Sequence, residues 1–198
     1  MPTPTPEPTP TPEPKYVALT FDDGPNPATT PQLLDILDRY NAKCTFFVIG
    51  SQAELYPGLL VRMMESGHTV GNHTYTHPNP ARISRKKLLS ELETANRAIE
   101  AITGVSPSLF RPPYGAFPRS ETTFGGLRVV FWSVDSWDWK LRDAAQTVEG
   151  VLPSVEEGRV ILMHDIYEET VEAAEILLET LTAQGYVFVT VETLLSMG

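Results

Sequence analysis

Cys44 is the chain's one cysteine, so no disulfide can form within it. It lies in the apolar run Cys44-Thr45-Phe46-Phe47-Val48-Ile49. A thiol there packs as a small hydrophobe, whereas nucleophilic cysteines sit in electropositive, partly exposed places. Positive charge is also scarce: 15 Lys and Arg stand against 25 Asp and Glu, a formal charge of −10. That sign excludes nucleic acid and anionic membrane surfaces as expected partners, since both select basic patches, and it suits a neutral substrate. No apolar run approaches the ~20 residues of a membrane-spanning helix. Without Gly-x-Ser-x-Gly there is no serine-hydrolase elbow, and without a glycine-rich phosphate loop there is no nucleotide motif. A zinc ribbon needs more than one cysteine. What remains is a chain of 198 residues, 41% apolar, enough for one domain with an ordinary core.

Proline is present but unevenly placed. Residues 2–14 read PTPTPEPTPTPEP and hold seven of the 18 prolines. Such a tract is extended, semi-rigid and unable to build a core. Residues 1–14 are therefore read as a disordered Pro-Thr linker to other modules of the same polypeptide, with a plain tail as the alternative. Met1 leads straight into the tract without a signal-peptide pattern, which points to a start placed inside a longer precursor.

Residues 15–198 form the expected domain, in which short apolar runs alternate with amphipathic helical patterns. Strands are predicted at Tyr16–Phe21, Cys44–Ile49, His68–Gly71, Leu109–Phe110, Val129–Val134, Val160–Met163 and Tyr186–Val191. Thr30 is predicted to cap a helix with Pro31 at its first position and Leu33, Leu37 and Tyr40 on one face. Ser84 is predicted to cap a longer helix carrying Leu88, Leu92, Ala95, Ile99 and Ile102, stopped by Gly104. Ala174, Leu177, Leu178 and Leu181 mark a third, stopped by Gly185. Strand–helix alternation predicts an α/β fold with parallel strands. Seven strands in about 185 residues fall short of a complete eightfold barrel, which takes about 250. The expectation is a distorted, incomplete (β/α) barrel of about seven parallel strands, in a monomeric domain.

Two of the four histidines stand in Gly71-Asn72-His73-Thr74-Tyr75-Thr76-His77-Pro78. That spacing lets both imidazoles reach one metal ion, although it also fits a chance pair on the surface. A glutamate after the first histidine would make the metalloprotease pattern, with that glutamate as base. Thr74 stands there instead, so a base must come from elsewhere. Thr20-Phe21-Asp22-Asp23-Gly24-Pro25, at the end of an apolar strand, offers one. Adjacent carboxylates at a strand end point in different directions, so one can bind metal while the other acts as base. A turn explains Gly24 and Pro25 but not both carboxylates. Two imidazoles and a carboxylate leave a divalent ion open positions for water, as in catalytic sites.

Three further polar clusters follow predicted strands: Arg111-Pro112-Pro113-Tyr114-Gly115, Asp135-Ser136-Trp137-Asp138-Trp139 and Leu162-Met163-His164-Asp165. In barrels the C-terminal ends of the strands form the catalytic face. Taken in order, the five clusters resemble the five motifs of the polysaccharide deacetylase family, carbohydrate esterase family 4 (NodB-like domains), from Tyr16 to the C-terminus. Phe117–Leu127 departs from the pattern, since it lacks helix formers and apolar periodicity. The helix expected there is short or replaced by loop.

The resemblance implies a set of roles. Asp23, His73 and His77 hold one divalent metal, Zn2+ or Co2+, which two imidazoles and a carboxylate suit equally. Asp22 is the base, oriented by Arg111. His164 is the acid, held and made more basic by Asp138. The Tyr114 N–H points at the developing oxyanion. Trp139 and Leu162 wall the acetyl-methyl pocket. Apart from the resemblance, Asp135, Asp165 and His68 are read as structural. Trp137, Tyr75, Phe117 and Tyr167 are either ordinary aromatics or stack on sugar. The implied reaction is metal-assisted hydrolysis of acetyl groups on a polysaccharide outside the cell. The linker resembles those of secreted plant-cell-wall hydrolases, which favours O-acetyl esters of xylan; N-deacetylation of chitin oligomers or peptidoglycan is the alternative. A carbohydrate-binding module leaves the acid, base and ligand set without a purpose. Glycoside hydrolysis needs two carboxylates and no metal-ligand histidines.

Overall fold

The computed structural model describes residues 13–197. Except for Glu13 and Pro14, the expected linker lies outside the described residues. The elements in order are β1 (Lys15–Asp22), α1 (Thr30–Arg39), β2 (Thr45–Val48), α2 (Gly50–Leu55), α3 (Pro57–Glu65), β3 (Thr69–Asn72), α4 (Arg85–Thr103), β4 (Leu109–Phe110), β5 (Thr123–Phe124), β6 (Leu127–Val129), β7 (Val134–Asp135), α5 (Asp138–Leu141), α6 (Ala144–Val151), β8 (Val160–His164), α7 (Glu168–Ala183), β9 (Tyr186–Phe188) and α8 (Val191–Ser196).

The strands make one curled sheet in the order β5-β6-β4-β3-β2-β1-β8-β7, with β9 paired to β1. Among the described residues only the β5–β6 pair is antiparallel. β5 and β7 end the sheet without pairing to each other, so the barrel stays open, as its length implied. Helices cover the sheet through their apolar stripes. Leu33, Leu34 and Leu37 of α1 and Leu177, Leu178 and Leu181 of α7 pack on Leu19, Phe21 and Ile161 of the central strands. Leu88 and Leu92 of α4 close a smaller cluster over Phe110 and Leu127.

Local chemistry explains most boundaries. Ser84 Oγ accepts from the Lys87 N–H at 3.2 Å, and Gly104 at φ 73° ends α4. Three expectations need correction. Thr30 is the first residue of α1 rather than its cap; its hydroxyl accepts from Asn26 N–H and donates to the Asp165 carboxylate. The single strand expected at Val129–Val134 is two, because β6 joins β4 while β7 joins β8 on the other side of the sheet. Between them, the Val130 and Phe131 carbonyls turn to the Arg111 guanidinium. The last strand ends at Phe188, since Thr190 accepts from Thr193 N–H and caps α8. Phe117–Leu127 holds no helix; the hairpin β5–β6 turns there through Gly125 and Gly126, at φ 59° and 80°.

Candidate metal and acid–base site

Parallel strands bring their C-terminal ends to one side of the sheet. Asp22 ends β1 and His164 ends β8, and the two are register partners. Asn72 ends β3, and His73 follows it with its N–H bonded to Val48 O at 2.9 Å. The five polar clusters therefore meet around one cleft of about 470 Å³.

Asp23 is turned into this cleft by a left-handed backbone, φ 75°. Its Oδ1 lies 3.3 Å from His73 Nε2 and 3.2 Å from His77 Nε2. These are not hydrogen bonds. His73 Nδ1 lies 2.7 Å from the Arg111 carbonyl, to which it must donate, so His73 Nε2 presents a lone pair. Asp23 Oδ1 is buried without a donor. His73 Nε2 and Asp23 Oδ1 are two acceptors facing each other, an arrangement unfavourable unless a proton or a cation lies between them, and His77 Nε2 adds a third donor atom for a metal when its proton sits on Nδ1. Two donor atoms each ~2.1 Å from a zinc ion stand about 3.0–3.4 Å apart, which matches the observed spacings. The residues fit a divalent metal. Burial raises Asp23, but His73, His164 and His77 outweigh it and bring its carboxyl to about 2. Burial, then the neighbouring His73, lowers His77 and favours the neutral ring a metal requires.

Asp22 stands apart from that triad. Its Oδ1 accepts from Arg111 Nη1 at 2.8 Å, while its Oδ2 is 3.7 Å from His73 Nε2. Arg111 is fully buried. It donates also to Thr20 Oγ1 at 2.7 Å and lies over the Phe47 ring at 4.2 Å. Burial lowers its pKa and Asp22 opposes that. The guanidinium thus makes four hydrogen bonds to the protein and fixes one face of the Asp22 carboxylate.

Across the cleft, His164 Nδ1 pairs with Asp138 Oδ1 at 2.8 Å. Asp138 Oδ2 accepts from His164 N–H and the Thr170 hydroxyl, both at 2.7 Å. Burial works against the imidazolium, but the hydrogen bond and charge of Asp138, then Asp22 and Asp23, carry His164 to about 9. Asp138 is lowered despite burial, by the same pair and by Thr170.

The cleft wall is aromatic. Tyr114, at φ 59°, stands edge-on to His77 at 4.7 Å and is 67% exposed. Trp139 and Leu162 line the cleft, as do Trp137 and Tyr167. Tyr75 and Phe117 do not line it: the Tyr75 hydroxyl donates to Glu54 at 2.7 Å, and Phe117 packs on Phe110 and Phe124. Sequence reasoning missed Trp132 and placed Asp135 as structural, yet both line the cleft. Asp165 is fully buried beside Gly24, and burial pushes its carboxyl up to about 7 although Thr30 donates to it. His68 sits at the other end of β3, where its Nδ1 accepts from Cys44 N–H at 3.1 Å. No described helix is long and apolar enough to cross a membrane.

The polysaccharide deacetylase family model matches residues 9–124. Peptidoglycan-N-acetylmuramic acid deacetylase PdaC of Bacillus subtilis (strain 168) is 45% identical over 91% of this chain, which spans 38% of that relative's length. The solved structure of the Bacillus subtilis peptidoglycan deacetylase PdaC superposes with a TM-score of 0.89 at 44% identity, covering 92% of this chain and 91% of that one. The Xyl-CE4 domain of a multidomain xylanase from the hindgut metagenome of Trinervitermes trinervoides gives a TM-score of 0.86 at 34% identity, covering 93% and 91%. The chain belongs to the polysaccharide deacetylase family.

Proposed function

We propose that this domain hydrolyses N-acetyl groups on an amino-sugar polysaccharide of the peptidoglycan class, with Asp22 as base and His164 as acid. One observation carries the preference for an amide: the buried His164–Asp138 pair keeps the acid protonated well above neutrality. An amine leaves only once protonated, whereas an ester alkoxide depends less on the acid. The peptidoglycan deacetylases among its relatives support the same choice.

Asp23, His73 and His77 would hold the divalent metal, zinc or cobalt, which supplies Lewis-acid polarisation of the acetyl carbonyl. The remaining steps belong to the chain. Asp22, fixed on one side by Arg111, takes the proton of the attacking water through its free oxygen. The Tyr114 N–H meets the carbonyl oxygen as it gains charge. His164 donates from Nε2, its Nδ1 being engaged by Asp138, to the leaving nitrogen. Trp139 and Leu162 enclose the methyl group, and the exposed aromatic rim stacks on neighbouring sugars.

Removal of O-acetyl groups from xylan is the second reading, favoured by the likeness to the Xyl-CE4 domain. The Pro-Thr tract as a linker to other modules, and a location outside the cell where such polymers lie, belong to the same proposal. Acetate release measured in parallel on peptidoglycan, chitin oligomers and acetylated xylan tests it. Faster release from xylan would replace the amide reading by the ester one, and no release from any of them would remove both.

A further inference from the structure

Glu91 lies on the buried face of α4, between Leu88 and Leu92. A carboxylate there needs a reason. Its Oε2 accepts from Thr76 N–H at 2.8 Å, Thr76 Oγ1 at 3.0 Å and Tyr75 N–H at 3.2 Å, while Oε1 pairs with Lys87 at 3.1 Å. Tyr75 and Thr76 are two of the three residues between His73 and His77. Thr74 N–H donates to Asn72 Oδ1 at 2.7 Å and His77 N–H to Thr74 Oγ1 at 3.0 Å. All four consecutive amides from Thr74 to His77 therefore end on side chains, and the middle two end on Glu91.

The two histidines are held differently. His73 follows β3 and its ring is fixed by the Arg111 carbonyl. Among the described residues no hydrogen bond fixes the His77 ring, and its backbone is left-handed at φ 57°. The position of His77 Nε2 thus follows the course of the loop, which Glu91 holds through the Tyr75 and Thr76 amides while the Gly50 and Ser51 amides hold the Thr74 and Tyr75 carbonyls from the other side.

We infer that Glu91 is a positioning residue for the metal site: its carboxylate gathers the Tyr75 and Thr76 amides and so holds His77 against Asp23 and His73. The inference rests on the metal-site reading above. Groups that orient a metal ligand from outside the coordination sphere typically change affinity about 10–100-fold when lost.

Zinc and cobalt dissociation constants of the metal-free full chain, measured by competition with a chromophoric chelator, test this for the parent, Glu91→Gln, Glu91→Ala and His77→Ala. Cobalt absorption spectra and melting curves accompany them. Glu91→Ala should bind zinc about 10–100-fold more weakly and shift the cobalt spectrum. Glu91→Gln keeps the shape and one acceptor oxygen, so it should fold like the parent and lose less. Parent-like affinity in a folded Glu91→Gln and a parent-like cobalt spectrum, with only a lower melting temperature for Glu91→Ala, would reduce Glu91 to a packing role and overturn the inference. If the parent takes up neither metal, or His77→Ala binds as tightly as the parent, the metal reading itself fails and Glu91 falls with it.

Discussion

Asp138→Asn isolates the electrostatic core of the proposed mechanism. His164 stands at about 9 against an ordinary 6.5, with burial opposing and Asp138 foremost among the groups that raise it. Asparagine removes the charge but keeps the shape, leaving burial unopposed except by Asp22 and Asp23. His164 should then titrate near or below 6.5. At ~1.4 kcal/mol per pH unit, the difference amounts to about 3.5 kcal/mol. At pH 8 the protonated fraction would fall from about nine tenths to about three hundredths, a loss of about 30-fold in rate. At pH 6 much of that loss should vanish. The same shift has a stability consequence. A histidine raised on folding contributes stability that is complete below its unfolded value, near 6.5, and is lost as the pH rises through about 9. The parent's melting temperature should therefore decline between those limits, and that decline should be absent in Asp138→Asn, whatever its overall drop from the lost bond to Thr170. The assay is kcat/KM against pH on an N-acetyl oligomer with metal present. An alkaline limb that stays within about half a pH unit of the parent's would refute the reasoning.

Chelation should abolish turnover and added zinc or cobalt restore it, with metal content checked by elemental analysis; full activity in metal-free protein would end the mechanism. Asp22→Ala should keep its metal and lose about 10²–10⁴-fold in rate, since the residue is placed as base and not ligand. Leu162→Ala should widen the acyl pocket, so the ratio of propionyl to acetyl release should rise, as read by competition between two labelled esters. Gly24→Ala should cost about 1–3 kcal/mol in urea unfolding, because a Cβ there would lie 2.2 Å from Asp165 Oδ1.

The parts of this molecule that were legible in the sequence are those governed by periodicity and end signals. β1, β2, β4 and β8 lie where apolar runs lie, and Ser84, Gly104 and Gly185 mark helix ends because caps act on neighbouring backbone. The broken strand at Val129–Val134 was not legible. Its carbonyls leave the ladder for Arg111, nineteen residues before Val130 in sequence, and no local pattern encodes that bond. Gly125-Gly126 did carry a hairpin signal beside the short runs Thr123–Phe124 and Leu127–Val129. Glu91 also left a trace: a charge within the stripe Leu88, Leu92, Ala95, where a solvated face would not put it. Trp132 left none, because an aromatic after an apolar run reads as core.

The adjacency of Asp22 and Asp23 shows how the fold meets two demands with neighbouring residues. Asp22 and His164 are register partners on parallel strands, so their side chains leave the same face of the sheet about 4.8 Å apart at the backbone. The sheet itself thereby sets the distance between the proposed base and acid. Strand alternation would send Asp23 to the opposite face. It reaches the cleft only because its backbone turns left-handed, and the same device recurs at Thr74, His77, Tyr114 and Trp137. Such conformations cost about 1–3 kcal/mol each for residues other than glycine and collect at functional sites. Glycine would relieve the strain but carries no carboxylate, imidazole or aromatic ring. The proposed base and acid thus rest on strand ends, where the sheet fixes geometry without strain. The proposed metal ligands and the cleft wall rest on strained loops held by groups such as Glu91 and Asn72; strand boundaries placed Asp22 and His164 at strand ends, their roles came from the family resemblance, and the geometry of the ligands came from neither.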